Sequence, residues 1–562
     1  MYDENPSVLI VGGGLAGLSC AVFLAHRKVP VLLVERHEGT MVHPRARSIN
    51  PRSIELYDQF GLVDTIMANR SYSSRSDGSL FRGETLSGIE IFRSPLDPPS
   101  TVGQVTPKPW APIDQDKLET ILRDRAVRLG ADVRFSTEMV SFGQDDQGVT
   151  AVIRDRGTGE ERTVRATYLV AADGNRSRIR SALGVGTHGH GLIGTTMTLV
   201  FEADLTEPLR GRRLGVCHLD RPTPGTVLLQ HDGERRFVFS MPYHPERGEK
   251  LEDFDDERCV ALVREAIGVP DLPVTIAPQL ADGTKVLSYE LAARVADRFQ
   301  VDRVLLIGDA AHVMPPTGAF GASTGIADAH NLAWKLAAVH HKEAEPELID
   351  TYDAERRPVA ELTVEQALLQ LWRRTDTHGG DSGNGRGTRP APSPFVPYEY
   401  YATVLGYRYR SAAVLGAEGD DVPAALPPGE LLGRPGTRAP HLAVLRDGGE
   451  ASSLDLYGDG FILLTGTGPV GDIWADALAE AASRLGTAAR AYRVGGSADT
   501  GADLVAETSW NEAHGVGAEG AVLVRPDGFV AWRVGKPPVA AGKEVAKAAD
   551  VLERALGRVL AR

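Results

Sequence analysis

The first 35 residues limit what this chain can fold into more than any later stretch. Ser7-Val8-Leu9-Ile10-Val11 is short, apolar and β-branched, and reads as a buried strand. Gly12-Gly13-Gly14-Leu15-Ala16-Gly17 follows at once and contains G-x-G-x-x-G. Leu18, Ala21, Val22 and Ala25 recur at helical spacing, which predicts a helix from Leu15 to Arg27. A second strand, Val31-Leu32-Leu33-Val34, ends on Glu35. Strand, glycine turn, helix, strand and acid form the fingerprint of an adenine-dinucleotide site. Gly12 permits the tight turn, Gly14 lets the backbone approach a pyrophosphate, and Gly17 lets the helix pack close to the strand. The helix N-terminus at Leu15 and Ala16 offers unpaired N–H groups and the positive end of its dipole. Glu35 stands where a carboxylate accepts hydrogen bonds from an adenosine ribose. This stretch alone leaves open whether the dinucleotide is FAD or a nicotinamide.

Acidic residues outnumber basic ones by 75 to 61, for a net charge of −14. That balance argues against nucleic acid or an anionic membrane surface as the main partner. No stretch approaches the roughly 18 unbroken apolar residues of a membrane span. No basic region precedes Val8, so the expectation is a cytoplasmic protein without a signal peptide. Cys20, Cys217 and Cys259 lie far apart, which fits a reducing compartment and no disulfide framework.

Further along, Asn50 reads as an N-cap with Pro51 at the first helical position. Asp114 to Leu129 is a strong amphipathic helix that opens with Gln115. A strand over Thr167 to Ala171 runs into Ala172-Asp173-Gly174. From about Val185 to Leu287 the pattern alternates, as in Arg236-Phe237-Val238-Phe239-Ser240-Met241, which predicts an antiparallel sheet. A buried strand at Arg303 to Ile307 ends in Gly308-Asp309. The loop Val313 to Ala322 leads into a helix from about Ser323 to His340, and Asp350 to Trp372 reads as another. Thr375 to Pro394 is rich in Gly, Ser, Pro and Arg and reads as a linker. From Leu431 onward a separate α/β unit follows, with a hairpin turning at Asp527-Gly528.

Two further G-x-G-x-x-G matches fail on context. The one at Gly184 follows a helix, and the one at Gly466 has no acid closing the next strand. His188, His190 and the pair His340-His341 lack neighbouring ligands at metal spacing, so no metal site is expected.

Gly12 to Gly17 with Glu35, then Asp173-Gly174, then Gly308-Asp309 give three ordered motifs. In this combination the chain resembles the FAD-dependent aromatic hydroxylases of the para-hydroxybenzoate hydroxylase fold. It is most similar to the polyketide hydroxylases that act on anthracyclinones and related polycycles. The resemblance implies an α/β (α+β overall) architecture. Residues 1–182 would form the first part of a Rossmann-like FAD domain, with an excursion at about 72–112 toward the substrate domain. Residues 183–287 would form the substrate-binding antiparallel sheet. Residues 288–374 would complete the FAD domain and its long helix. Residues 375–430 would be a flexible linker, and 431–562 a thioredoxin-like domain. That last domain contains no cysteine, so thiol chemistry is excluded there.

By the same resemblance, Gly12, Gly14, Leu15, Ala16 and Gly17 hold the FAD pyrophosphate and Glu35 the ribose. Arg36 lies by the adenine, Arg45 near the phosphates and Gln115 at the ribityl–pyrophosphate junction. Asp173 serves both FAD and the nicotinamide, and Asp309 after Gly308 holds the ribityl chain. Pro316, Gly318, Gly321 and Ala322 lie against the isoalloxazine, where Phe320 adds bulk toward the substrate. The implied reaction uses tightly bound FAD, NADPH or NADH as transient reductant, and O2. A flavin C4a-hydroperoxide hydroxylates a polycyclic aromatic polyketide. Ring-oxygen insertion and a redox-silent flavoprotein are the alternatives.

Such chemistry needs few protein groups, and none stands out as catalytic. Tyr243 and Arg374 are candidates for polarising a phenol, each more simply read as a packing or surface residue. Phe239 and Met241 offer an apolar wall, with the alternation leaving open which of two faces they occupy. A homo-oligomer is compatible with the sequence.

Overall fold

The computed structural model describes residues 2–41, 46–71, 79–95, 100–231, 233–280, 282–375, 396–416, 422–497, 499–537 and 544–562. Val8–Val11 lies in the middle of a six-stranded sheet. It pairs in parallel with Val31–Val34 on one side and Tyr168–Ala171 on the other. Val304–Leu306 continues the parallel set beyond Tyr168–Ala171. These strands are buried on both faces, which explains their unbroken apolar runs. Leu9, Ile10, Leu33, Leu169 and Leu305 are fully buried, each worth about 1.5–3 kcal/mol. Helices Leu15–His26 and Phe320–His340 pack against each other in the same core.

A nine-stranded sheet forms the second layer. It extends beyond the expected 183–287 in both directions of the chain. Ser79–Gly83 joins in parallel to Leu214–Leu219, and Glu90–Pro95 forms the edge. Val286–Ala296 runs straight through the expected boundary and pairs along most of Thr187–Glu202. Helix Asp256–Ile267 covers one face with Cys259, Val263, Ala266 and Ile267. A three-stranded meander, Thr137–Asp145, Gly148–Asp155 and Glu161–Ala166, sits beside the first sheet; only its central strand is evident in the sequence.

The carboxyl-terminal unit has a seven-stranded sheet. At its centre Phe461–Thr465 pairs in parallel with Ala489–Gly495 and antiparallel with Ala521–Val524. Helices Pro469–Leu485 and Glu544–Val559 pack together on one face, a thioredoxin-like arrangement. The expected linker is partly structured. Helix Tyr400–Leu405 packs against Thr351–Thr375, and Arg408 and Tyr409 are buried. Residues 376–395, most of the Gly/Ser/Pro/Arg tract, lie outside the described residues.

Two buried histidines make the fold acid-sensitive. His330 bonds Gln59 at 2.9 Å and meets Phe23 and Phe60 edge-on. His514 Nδ1 lies 2.8 Å from the Trp510 carbonyl. Burial pushes His514 down to about 4 and His330 well below its usual range. Between 6.5 and 4 the unfolded chain takes up protons that the folded chain refuses. The histidine contribution is therefore present above about pH 6.5 and is lost as pH falls toward 4. For His514 the full window is worth about 3 kcal/mol. Urea midpoints should fall between pH 7.5 and 5, and His514→Gln should flatten that fall relative to the parent.

Candidate active site

The three motifs leave the carboxyl ends of adjacent parallel strands. Gly12 follows Val11, Ala172-Asp173 follows Ala171, and Gly308 lies just beyond Leu306, while Glu35 follows Val34 on the other side. Strand order reverses around Val8–Val11, and ligands of open α/β sheets bind in the crevice at such a point. The turn is built for backbone proximity. Gly12 has φ +115°, and a Cβ there would lie 2.1 Å from the Ala172 carbonyl oxygen. A Cβ on Gly17 would lie 2.0 Å from the Gly12 oxygen. Gly14 differs: the nearest atom to its Cβ position is Glu119 Oε1 at 3.8 Å. Space is therefore left in front of Gly14. No side chain caps helix Leu15–His26, and its first turn has no acid.

Glu35 Oε2 accepts the Gly13 N–H at 2.6 Å, and its Oε1 accepts the His37 N–H at 2.9 Å. Arg36 is exposed, and its carbonyl accepts from Arg156. Gln115 Oε1 accepts the Ala46 N–H at 3.2 Å, while its Nε2 donates to Glu119 at 2.8 Å. Glu119 is buried and also receives the Met41 N–H, a role its place inside an ordinary amphipathic helix did not reveal. Asp173 Oδ2 accepts the Ile179 N–H, and its buried Oδ1 has no hydrogen-bond partner among the described residues. Arg45 lies outside the described residues.

Gly308 has φ +58°, with Ala16 Cβ 2.8 Å from its own Cβ position, so the third motif packs on the first helix. Asp309 is exposed, as is Pro316. The Gly308 N–H donates to Asp328 Oδ2 at 3.2 Å. Asp328 is fully buried between His312 (2.7 Å) and Arg356 (2.8 Å). Burial opposes its charge, but the Arg356 guanidinium, with the His312 hydrogen bond, overcomes that and holds its carboxyl below the usual range.

The helix after the loop starts at Phe320, not near Ser323 as the sequence suggests. Ala319 caps it in the left-handed region at φ +52°. The unpaired first-turn N–H groups are therefore those of Phe320, Gly321 and Ala322. The preceding loop is held from two sides. Thr317 Oγ1 donates to the Ala367 carbonyl at 2.7 Å and Tyr400 OH to the Gly318 carbonyl at 3.1 Å, while the Asn50 N–H donates to Ser323 Oγ in the first turn of the helix at 3.3 Å. Phe320 is buried and stacks on Tyr400 at 5.3 Å, in a cluster with Ala367, Val404 and Leu405. Its ring packs into the protein here, instead of standing open toward a substrate.

The sheet alternation now has a definite sense. Phe239, Met241 and Tyr243 point to the face covered by helix Asp256–Ile267, inside its apolar cluster. Tyr243 OH donates to the Glu249 carbonyl at 3.0 Å, and its ring meets Phe254. All three are thus core residues of the sheet–helix layer. The opposite face carries Thr196, Thr198, Ser240 and Tyr289. Ser240 bonds Thr198 at 3.4 Å, and Tyr289 stands opposite Thr196 in the register. Arg374 falls within helix Thr351–Thr375, and its side chain lies outside the described residues.

Residues 5–367 match the family model described as FAD binding domain, and residues 433–562 match that of aromatic-ring hydroxylase, C-terminal. The chain belongs to the FAD-dependent aromatic hydroxylases. It is 42% identical to a 4-methyl-5-nitrocatechol 5-monooxygenase from Burkholderia, over 94% of each chain. It is 40% identical to the tetracenomycin A2 monooxygenase-dioxygenase of Streptomyces glaucescens, covering 100% of this chain and 98% of that one. The crystal structure of an aklavinone-11 hydroxylase in a ternary complex with FAD and aklavinone superposes with a TM-score of 0.87. That match spans 100% of both chains at 38% identity.

The hydroxylase is therefore a flavin-dependent monooxygenase, and its crevice fits FAD on its own geometry. The space before Gly14, the uncapped first helix and the unpartnered Asp173 oxygen are features that a dinucleotide would satisfy. Among the described residues no helix of the hydroxylase is long and apolar enough to cross a membrane.

Proposed function

We propose that this hydroxylase uses NADPH or NADH and O2 to hydroxylate a polycyclic aromatic polyketide in the cytoplasm. The observation that carries the reading is the convergence of three motif turns on adjacent strand ends, in a chain that superposes over its full length on an FAD–aklavinone complex. Bound FAD would supply the redox chemistry, taking a hydride from the nicotinamide and activating O2 for transfer of one oxygen atom to the ring.

The residues of this chain bind and orient. Backbone N–H groups at Gly14, Leu15, Ala16 and Gly17 would hold the pyrophosphate, and Glu35 the ribose. Arg36 and Gln115 would flank the adenine and the ribityl junction, and Gly308 and Asp309 would hold the ribityl chain. Asp173 would serve both the flavin and the nicotinamide. Pro316, Gly318, Gly321 and Ala322 line the isoalloxazine. The first turn of helix Phe320–His340 aims its dipole there, favouring negative charge on the ring by about 0.3–2 kcal/mol. The substrate belongs on the sheet face bearing Thr196, Ser240 and Tyr289, because helix Asp256–Ile267 fills the other face. Burial raises the Tyr289 hydroxyl above its usual range, so it stays protonated and can donate to a substrate oxygen.

The test is substrate-stimulated oxidation of NADPH and of NADH, with O2 uptake, by the FAD-loaded enzyme. Anthracyclinone phenols should stimulate both in equal amounts, and 4-methyl-5-nitrocatechol should not. Stimulation by the single-ring catechol alone would contradict the polycyclic substrate class.

A further inference from the structure

The carboxyl-terminal domain has no cysteine, yet its hairpin Ala521–Val534 is tied into the flavin half by buried charge. Arg525 is fully buried and donates to both oxygens of Glu355, at 2.6 and 2.8 Å. It also pairs with Asp527 in the hairpin turn. Asp527 receives the Trp334 indole N–H at 3.2 Å and the Asn331 amide at 3.3 Å, both from helix Phe320–His340. Its backbone carbonyl receives Arg52 at 3.0 Å, from helix Pro51–Asp58. Lys335 closes the cluster on Glu355 at 2.8 Å.

The two gripped helices are the ones whose N-termini meet beside the flavin loop, where the Asn50 N–H donates to Ser323. A second branch leaves from the neighbour of Glu355. Arg356 bonds Asp328 at 2.8 Å, and Asp328 accepts the Gly308 N–H at 3.2 Å. The two branches share the Tyr409 ring, which lies 5.4 Å from Arg525 and 5.9 Å from Arg356, so buried contacts lead from the hairpin turn to the Gly308–Asp309 turn. Breaking one partner of such a buried pair leaves an uncompensated charge, so the groups it joins are held in one arrangement.

We propose that the carboxyl-terminal domain is a positioning element for the flavin. Asp527 and Arg525 would fix the two helices at the flavin loop, and Asp328 would set the orientation of Gly308–Asp309. The inference rests on the reading of Gly308–Asp309 as flavin contacts. Asp527 and Asp328 are then positioning residues that touch neither flavin nor substrate.

The test uses the full chain with D527N, D328N, the double variant, and D309A as control. Three quantities are measured: the FAD dissociation constant, the visible spectrum of the bound flavin and the thermal midpoint of the apoprotein. D527N should weaken FAD binding about fivefold and shift the long-wavelength flavin band. The D328N effect should shrink in the D527N background, because both act through one network. If D328N does not fold, the D527N spectrum and affinity decide. Wild-type affinity and spectrum for D527N, with D309A weakened, would overturn the positioning role and leave the flavin site intact. Multiplying single effects in the double variant would overturn it equally. Unchanged FAD binding in D309A would instead remove the reading of Gly308–Asp309, and this inference with it.

Discussion

Gly12→Ala should purify without FAD and with a lowered unfolding midpoint. Its Cβ would stand 2.1 Å from the Ala172 oxygen at φ +115°, so the Gly12 turn and the Ala172-Asp173 turn must move apart. Left-handed strain and the overlap together cost at least about 3 kcal/mol, more than a hundredfold in affinity if expressed in binding. Gly14→Ala is the informative contrast. Its Cβ would meet nothing closer than 3.8 Å, so the apoprotein should keep its midpoint. The methyl group would still occupy the space left for the pyrophosphate, and FAD retention should fall. Absorbance of the bound flavin and apoprotein melting, measured side by side, separate the two effects. A yellow Gly14→Ala protein with wild-type affinity would show that the cofactor does not approach this turn.

Arg525→Met should lower the unfolding free energy by about 3–5 kcal/mol. The substitution leaves Glu355 and Asp527 buried, with Lys335 as the nearest remaining cation. Lys335 is a poor substitute, because its ammonium bonds Glu355 alone and cannot replace the forked guanidinium that joins Glu355 to Asp527. Equilibrium denaturation followed by tryptophan fluorescence suits this test, since Trp334 lies against the cluster, its ring 5.1 Å from Arg525. A loss under about 1 kcal/mol would mean that the pair contributes no more than an exposed salt bridge.

Sequence and structure part company at identifiable places. The glycine turns were legible because each needs a residue type that few other conformations need. Gly12 and Gly308 sit at positive φ, and Gly17 at a distance where no Cβ fits. Their convergence was legible too, since parallel strands bring their carboxyl ends to one edge. The helix start at Phe320 was not legible. Its cap is Ala319, which carries neither a capping side chain nor the glycine usual at positive φ. The face of Phe239, Met241 and Tyr243 was undetermined, because period-two alternation gives two faces and not their neighbours. Nothing in the sequence singles out Lys335, Glu355 and Arg356 within their helices. Only the docked carboxyl-terminal hairpin brings Arg525 and Asp527 to them, a pairing about 170 residues apart in the chain. Glu119 stayed hidden for the same reason, as one charge among many in its helix.

The claim that unites site and fold is that this crevice delivers one atom of O2 to a polycyclic phenol. Its most direct test is mass spectrometry of the product after the FAD-loaded enzyme turns over an anthracyclinone with NADPH under isotopically heavy oxygen gas. The account predicts one heavy oxygen atom in a new ring hydroxyl, with NADPH consumed in equal amount. NADPH consumption with no label in the product, or label inserted into the ring itself, would contradict it.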